Sequence, residues 1–139
     1  MMKNLGDMIK ENMEVTVRNA DGTTSDPHEY GCDSWREYWE KQGGNKEDRL
    51  LKPQNIRSIP GEREKFEKRY RCPACGKWFL WDGNAPDCFD GCHVKIKNSN
   101  EVSLYIIPLC HACNHADVTV KVPRRMLVVA PPVKDKISN

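Results

Sequence analysis

Three observations predict a small α+β fold for this chain of 139 residues. Two Cys-x2-Cys pairs lie in its second half. Short β-like runs surround them, and a well-marked amphipathic helix lies upstream. The expected organisation is a helical N-terminal region over 1–60 that packs on, or is linked to, a β-rich, metal-centred domain over 61–132, with a flexible tail over 133–139. Composition agrees with a metal-clamped domain: hydrophobic residues make up 38% and charged residues 30%, a lean core for this length.

In the N-terminal half, Leu5, Met8, Ile9 and Met13 recur at helical spacing, which predicts a short helix over Met2–Met13 that Gly6 weakens. Val15-Thr16-Val17 alternates and predicts a brief strand, and Asn19–Pro27 is turn chemistry. Ser34 followed three residues later by Glu37 is a capping-box pattern, and Gly43-Gly44 closes the helix it starts. Trp35, Tyr38 and Trp39 fall on one face of that helix. They are expected to pack on the rest of the protein, with a stacking platform for bases as the alternative.

Lys46–Pro60 reads as a polar linker, and Gly61–Tyr70 as a charged helix with Glu64 and Lys68 spaced i,i+4. Beyond Arg71 the texture changes. Val102–Ile107, Val118–Val122 and Met126–Ala130 read as strands, the last stopped by Pro131-Pro132.

The strongest chemical signal is Cys72-Pro73-Ala74-Cys75-Gly76 paired with Cys110-His111-Ala112-Cys113. Each Cys-x2-Cys turn chelates with two thiolates, and two such turns complete a closed tetrahedral shell with bonds of about 2.3 Å and no open position. Cys72, Cys75, Cys110 and Cys113 are therefore expected to hold one structural Zn²⁺. The 34 residues between Cys75 and Cys110 exceed the common zinc-ribbon gap and must contain a sub-motif. A redox role suits a single Cys-x2-Cys pair in a βα unit and fits two matched pairs poorly. Of the other cysteines, Cys88 and Cys92 with His93 offer ligands for a second metal ion, with His28 or Cys32 joining; small buried thiols account for them equally well.

The net charge of +2 is not that of a dedicated nucleic-acid binder, so any such surface must come from local clustering. Lys95, Lys97, Lys121, Arg124 and Arg125 are the expected phosphate contacts for DNA or RNA, a protein partner being the alternative. No apolar run approaches the length of a membrane span or a secretory leader. The expected compartment is the cytosol, where paired cysteines bind metal in preference to forming disulfides.

Taken together, Cys72-x2-Cys75, Gly91-Cys92-His93-Val94 and Tyr105-Ile106-Ile107-Pro108-Leu109-Cys110-His111-Ala112-Cys113-Asn114 resemble the HNH endonuclease family, over a stretch from Cys72 to about Asp117. The resemblance implies a ββα-metal finger buttressed by a four-cysteine zinc of the treble-clef kind. It assigns His93 the role of general base and Asn114, or the adjacent His115, that of metal ligand. It also shows departures. Tyr105 stands where the family has the Asn that orients the base, Cys92 stands where an acidic or small residue precedes the His, and Asn114–Asp117 leaves room for one helical turn at most. Phosphodiester hydrolysis needs an oriented base and a metal. The resemblance with these departures implies a degenerate HNH-like zinc module that binds nucleic acid or protein, of a size that suits a bacterial or phage accessory protein. The alternative is a metal-dependent nuclease with His93 as base and the metal on Asn114, His115 or one of Asp87, Asp90 and Asp117.

Overall fold

A computed structural model describes residues 13–20, 26–43, 51, 53–59, 65–100 and 102–131. In chain order the elements are β1 (Glu14–Asn19), a 3-10 turn (Pro27–Tyr30), α1 (Trp35–Gly43), β2 (Gln54–Ile59), β3 (Lys65–Arg71), β4 (Trp78–Leu80), β5 (Phe89–Ile96), β6 (Tyr105–Cys110), α2 (His111–Asn114, a single turn), β7 (Thr119–Pro123), a second 3-10 turn (Arg124–Met126) and β8 (Val128–Val129). No described helix is long and apolar enough to cross a membrane.

The strands form an antiparallel five-stranded sheet in the order β7-β1-β5-β6-β8 and an antiparallel three-stranded sheet in the order β2-β3-β4. Residues paired in register share a face, so the register sorts the larger sheet into two sides. Val15, Val17, Val94, Ile96, Val120 and Val122 lie on one side with Tyr105, Ile107 and Leu109. Val17, Val94, Ile107 and Leu109 are fully buried there. Phe89, Gly91 and His93 lie on the other side with Ile106 and Pro108, and α1 packs over them against β5, β6 and β8.

Local chemistry accounts for α1. The Glu37 N–H donates to Ser34 Oγ at 3.1 Å, and the Glu37 carboxylate accepts from the Asp33 N–H at 2.9 Å, a capping-box arrangement whose return bond reaches one residue before the cap. Trp39 is fully buried and donates its indole N–H to the Met126 carbonyl at 2.7 Å. Trp35 and Tyr38 pack against the core as expected. A Cβ at Gly91 would meet the Trp35 carbonyl carbon at 2.3 Å, so a residue without a side chain is what lets the start of α1 rest on β5. Trp81, following β4, links the two sheets: its ring lies 5.4 Å from Tyr70, 5.9 Å from Trp39 and 5.3 Å from Phe89. Such aromatic pairs add to the area they bury.

Several expectations need correction. The N-terminal half is only partly helical where it is described: β1, β2 and a 3-10 turn accompany the helix α1. The helix expected over Met2–Met13 lies almost wholly outside the described residues. The expected linker contains β2, and the described part of the charged helix expected over Gly61–Tyr70 is strand, β3 beginning at Lys65. Phe66 and Tyr70 stand four residues apart, a spacing common to a helix face and a strand face, so periodicity did not separate the two. The ion pair between Arg69 and Glu67 at 2.7 Å shows the strand period, because i and i+2 share a face only there. The strand expected over Val102–Ile107 is shifted to Tyr105–Cys110, leaving Val102 exposed, and the one over Met126–Ala130 shortens to β8 behind a 3-10 turn.

Candidate metal centre

The first cysteine pair forms the turn between β3 and β4, where Arg71 pairs with Trp78. The Gly76 N–H donates to the Cys72 carbonyl at 2.9 Å and the Cys72 N–H to the Lys77 carbonyl at 2.8 Å, a tight knuckle. Gly76 sits at φ +74°, in the left-handed region that a residue lacking Cβ enters freely. The second pair lies where β6 ends and α2 begins. Cys110 leaves the sheet in extended conformation and Cys113 rides on the helical turn.

The two knuckles meet. The Cys110 N–H donates to Cys72 Sγ at 3.4 Å, and Cys75 Sγ lies 3.8 Å from Cys110 Sγ. All four Sγ atoms fall within 4.8 Å of one another, and none is in a disulfide. A tetrahedral ion with bonds of about 2.3 Å to sulfur has edges of about 3.8 Å, the separation seen between Cys75 and Cys110. The four cysteines are thus arranged so that they could hold one metal ion. Cys72, Cys110 and Cys113 are buried and Cys75 is exposed, so an ion there would be reached from one side.

Electrostatics in the cage work against free thiolates. Burial pushes the Cys110 thiol up to about 11, and burial together with neighbouring thiols raises Cys113. At Cys75 burial acts in the same direction, but the Lys77 N–H and the adjacent thiols outweigh it, and the pKa falls below its ordinary value. Four crowded sulfurs become thiolates together only with a compensating cation, so an entering metal ion would displace protons.

One contact that sequence reasoning missed holds the second knuckle. Asn19, at the end of β1, directs its side-chain amide to the carbonyls of Cys113 and Asn114, each at 3.3 Å, and to that of Ala116. Its partners are more than ninety positions away, and no local pattern points to them.

The remaining expected site residues are dispersed. His93 is buried, with Trp35 edge-to-face above it at 4.9 Å, and its Nε2 has no hydrogen-bond partner among the described residues. Burial lowers its pKa. Asn114 donates to Asp90 Oδ2 at 3.1 Å on the opposite face of β5, so His93 and Asn114 do not converge. The Cys92 thiol, pushed up to about 12 by burial, contacts Asn19 Oδ1 at 3.5 Å. Cys32 lies against the Tyr30 carbonyl, and exposed His28 pairs with Asp26 at 2.8 Å. The second ligand set expected from Cys88, Cys92, His93 and either His28 or Cys32 is therefore not assembled. Cys88 lies instead beside Asp90 and His111.

The expected phosphate contacts divide into two groups. Lys95 on β5 lies directly across from Arg18 on β1, and Lys121 on β7 lies across from Thr16. The Lys97 N–H donates to the Thr16 carbonyl at 2.8 Å, continuing the ladder. Arg18, Lys95, Lys97 and Lys121 are all exposed, and among the described residues none of the four forms an ion pair. Arg124 and Arg125 lie in the 3-10 turn after β7, half-buried and engaged within the chain. Compared against protein-family models, curated proteins and solved structures, the chain matches none.

Proposed function

We propose that this chain is a Zn²⁺-stabilised, non-catalytic module of degenerate HNH-like type that binds nucleic acid through the open face of β7-β1-β5. The observation that carries this reading is the Arg18–Lys95 pair. Two like charges directly opposite in a sheet cost stability. Here they share a face with Lys121, next to Lys97, and no acidic partner among the described residues answers them. A sheet that keeps such a cluster has a use for it, and phosphate is the ligand that four cations on a flat face fit. The zinc cage supports the reading by bracing the far end of the same sheet through Cys110.

Hydrolysis is disfavoured by the surroundings of the one candidate base. His93 lies beneath Trp35, and the alternative metal ligand Asn114 sits on the other side of β5. A general base must reach the water it activates.

The test is binding of labelled duplex and single-stranded oligonucleotides by the zinc-loaded chain across a salt series. Four phosphate contacts predict a log–log slope of about −3.6 on duplex and about −2.8 on single strands. Absence of binding, or binding without salt dependence, would reject the nucleic-acid reading and leave a protein partner. Plasmid nicking with Mg²⁺, Mn²⁺ or Ni²⁺ should be absent, and nicking abolished by His93→Ala would make the protein a nuclease.

A further inference from the structure

Beside the second cysteine pair, at His111 of the same turn, a second set of donors converges. The Cys88 thiol, an Asp90 carboxylate oxygen and a ring nitrogen of His111 lie within 4.8 Å of one another. The three come from separate segments: Cys88 from the loop before β5, Asp90 from the second position of β5 and His111 from the first position of α2. Backbone bonds fix these segments together. The His111 N–H donates to the Cys88 carbonyl at 3.1 Å, and Asp90 is in register with Leu109 on β6.

We propose that Cys88, Asp90 and His111 form a second metal site, for a borderline-soft divalent ion of which Zn²⁺ is the best match. A thiolate excludes the hard oxygen-seeking ions Mg²⁺ and Ca²⁺, while one sulfur, one imidazole and one carboxylate is a donor set that Zn²⁺ accepts. The distances suit it. His111 Nδ1 lies 2.7 Å from Asp90 Oδ2, and Cys88 Sγ lies 4.0 Å from Asp90 Oδ1. Zinc bonds of about 2.0–2.3 Å place neighbouring donors about 3.3–3.6 Å apart, between the two separations seen here and inside the 4.8 Å that spans all three donors. Asn114 donates to Asp90 Oδ2 at 3.1 Å and so orients the carboxylate from outside that shell.

With three protein ligands this site differs in kind from the closed cage. His115 stands on its rim, its ring 4.4 Å from that of His111 and its Nε2 3.9 Å from Asp90 Oδ2. Cys88 and Asp90 also line a cleft of about 410 Å³ with Pro27, Trp35, Arg36 and Gly83. A fourth position open to His115 or to solvent would let this ion exchange more readily than one held in the closed four-cysteine cage. The site does not depend on the nucleic-acid reading.

The experiment counts metal on the full, tag-free chain by native mass spectrometry after exposure to excess zinc. Two ions per wild-type chain, and one in Asp90→Asn with His111→Gln and in Cys88→Ser at unchanged far-UV circular dichroism, are expected. One ion per wild-type chain overturns the proposal, as does a second ion that persists in every variant. If the variants fail to fold, Co²⁺ titration of the wild type decides. A second spectral phase with weaker sulfur-to-cobalt charge transfer than the first supports the site, and saturation at one equivalent overturns it.

Discussion

The side-chain amide of Asn19 reaches the backbone carbonyl of Cys113 at 3.3 Å, so the last residue of β1 holds the last ligand-bearing turn of the cage in place. The same side chain accepts from the Cys92 thiol at 3.5 Å. β1 thereby braces the four-cysteine cluster without supplying a thiol, in the way that outer contacts orient ligands at metal sites generally.

Asn19→Ala strips the carbonyls of Cys113, Asn114 and Ala116 of this partner. Leaving partly buried acceptors unsatisfied costs about 1–3 kcal/mol. The expected outcome is a lower urea midpoint for the zinc-loaded protein and faster release of zinc to a colorimetric chelator. An unchanged midpoint together with unchanged release would show that Asn19 plays no part in the cage.

Zinc affinity should rise steeply with pH. Burial holds Cys110 at about 11 and raises Cys113, so both are protonated in the metal-free cage at neutral pH and both protons must leave when the ion enters. These two displaced protons alone make the affinity rise about a hundredfold per pH unit below the thiol range, and acid should release the ion. Competition titrations between pH 6 and 8 measure this slope. Cys72→Ser with Cys75→Ser should abolish it and unfold the β3–β4 knuckle. A flat affinity profile would exclude thiolate coordination.

His93 gives the fold a separate acid sensitivity. Burial against Trp35 lowers its pKa, so the folded state favours the neutral ring and the unfolded state binds its proton more readily. This contribution is fully present above the ordinary histidine value of about 6.5 and is lost as pH falls through that value toward the lower folded one. His93→Phe keeps the edge-to-face contact and removes the titration. The decline in melting temperature of the wild type between about pH 6.5 and 5 should therefore be shallower in the variant. Parallel declines would place the acid sensitivity elsewhere.

The four-cysteine cluster was legible in the sequence because paired spacing is a local property: each Cys-x2-Cys brings two thiols together within four residues. The same holds for α1, whose start is marked by Ser34 and Glu37, three residues apart. The register was not legible. Arg18 becomes part of the basic face only because it pairs with Lys95, and Asp90 joins Cys88 and His111 only because β5 and β6 align as they do. Cys92 and His93, adjacent in sequence, point to opposite sides of β5, one toward Asn19 and the other toward Trp35. A period-2 element separates neighbours in this way, and grouping them as joint ligands or joint site residues overlooked it. β3 was misread for a related reason, its apolar pair fitting both periods while its charges suggested a helix.

The Arg18–Lys95 pair allows function and stability to be separated. Like charges directly opposite in a sheet destabilise by about 0.2–1 kcal/mol, and an opposite-charge pair contributes a similar amount in the favourable direction. Lys95→Glu is therefore expected to raise the melting temperature of the zinc-loaded chain slightly while weakening nucleic-acid binding, with a duplex salt slope shallower by at least about 0.9. Lys95→Thr should lie between wild type and Lys95→Glu in both measurements. Thermal melts and the salt series on the same three samples check both arms. A variant that gains stability and keeps wild-type affinity would show that the open face of β7-β1-β5 carries no phosphate. A variant that loses both would show that Lys95 is held by packing and not by charge.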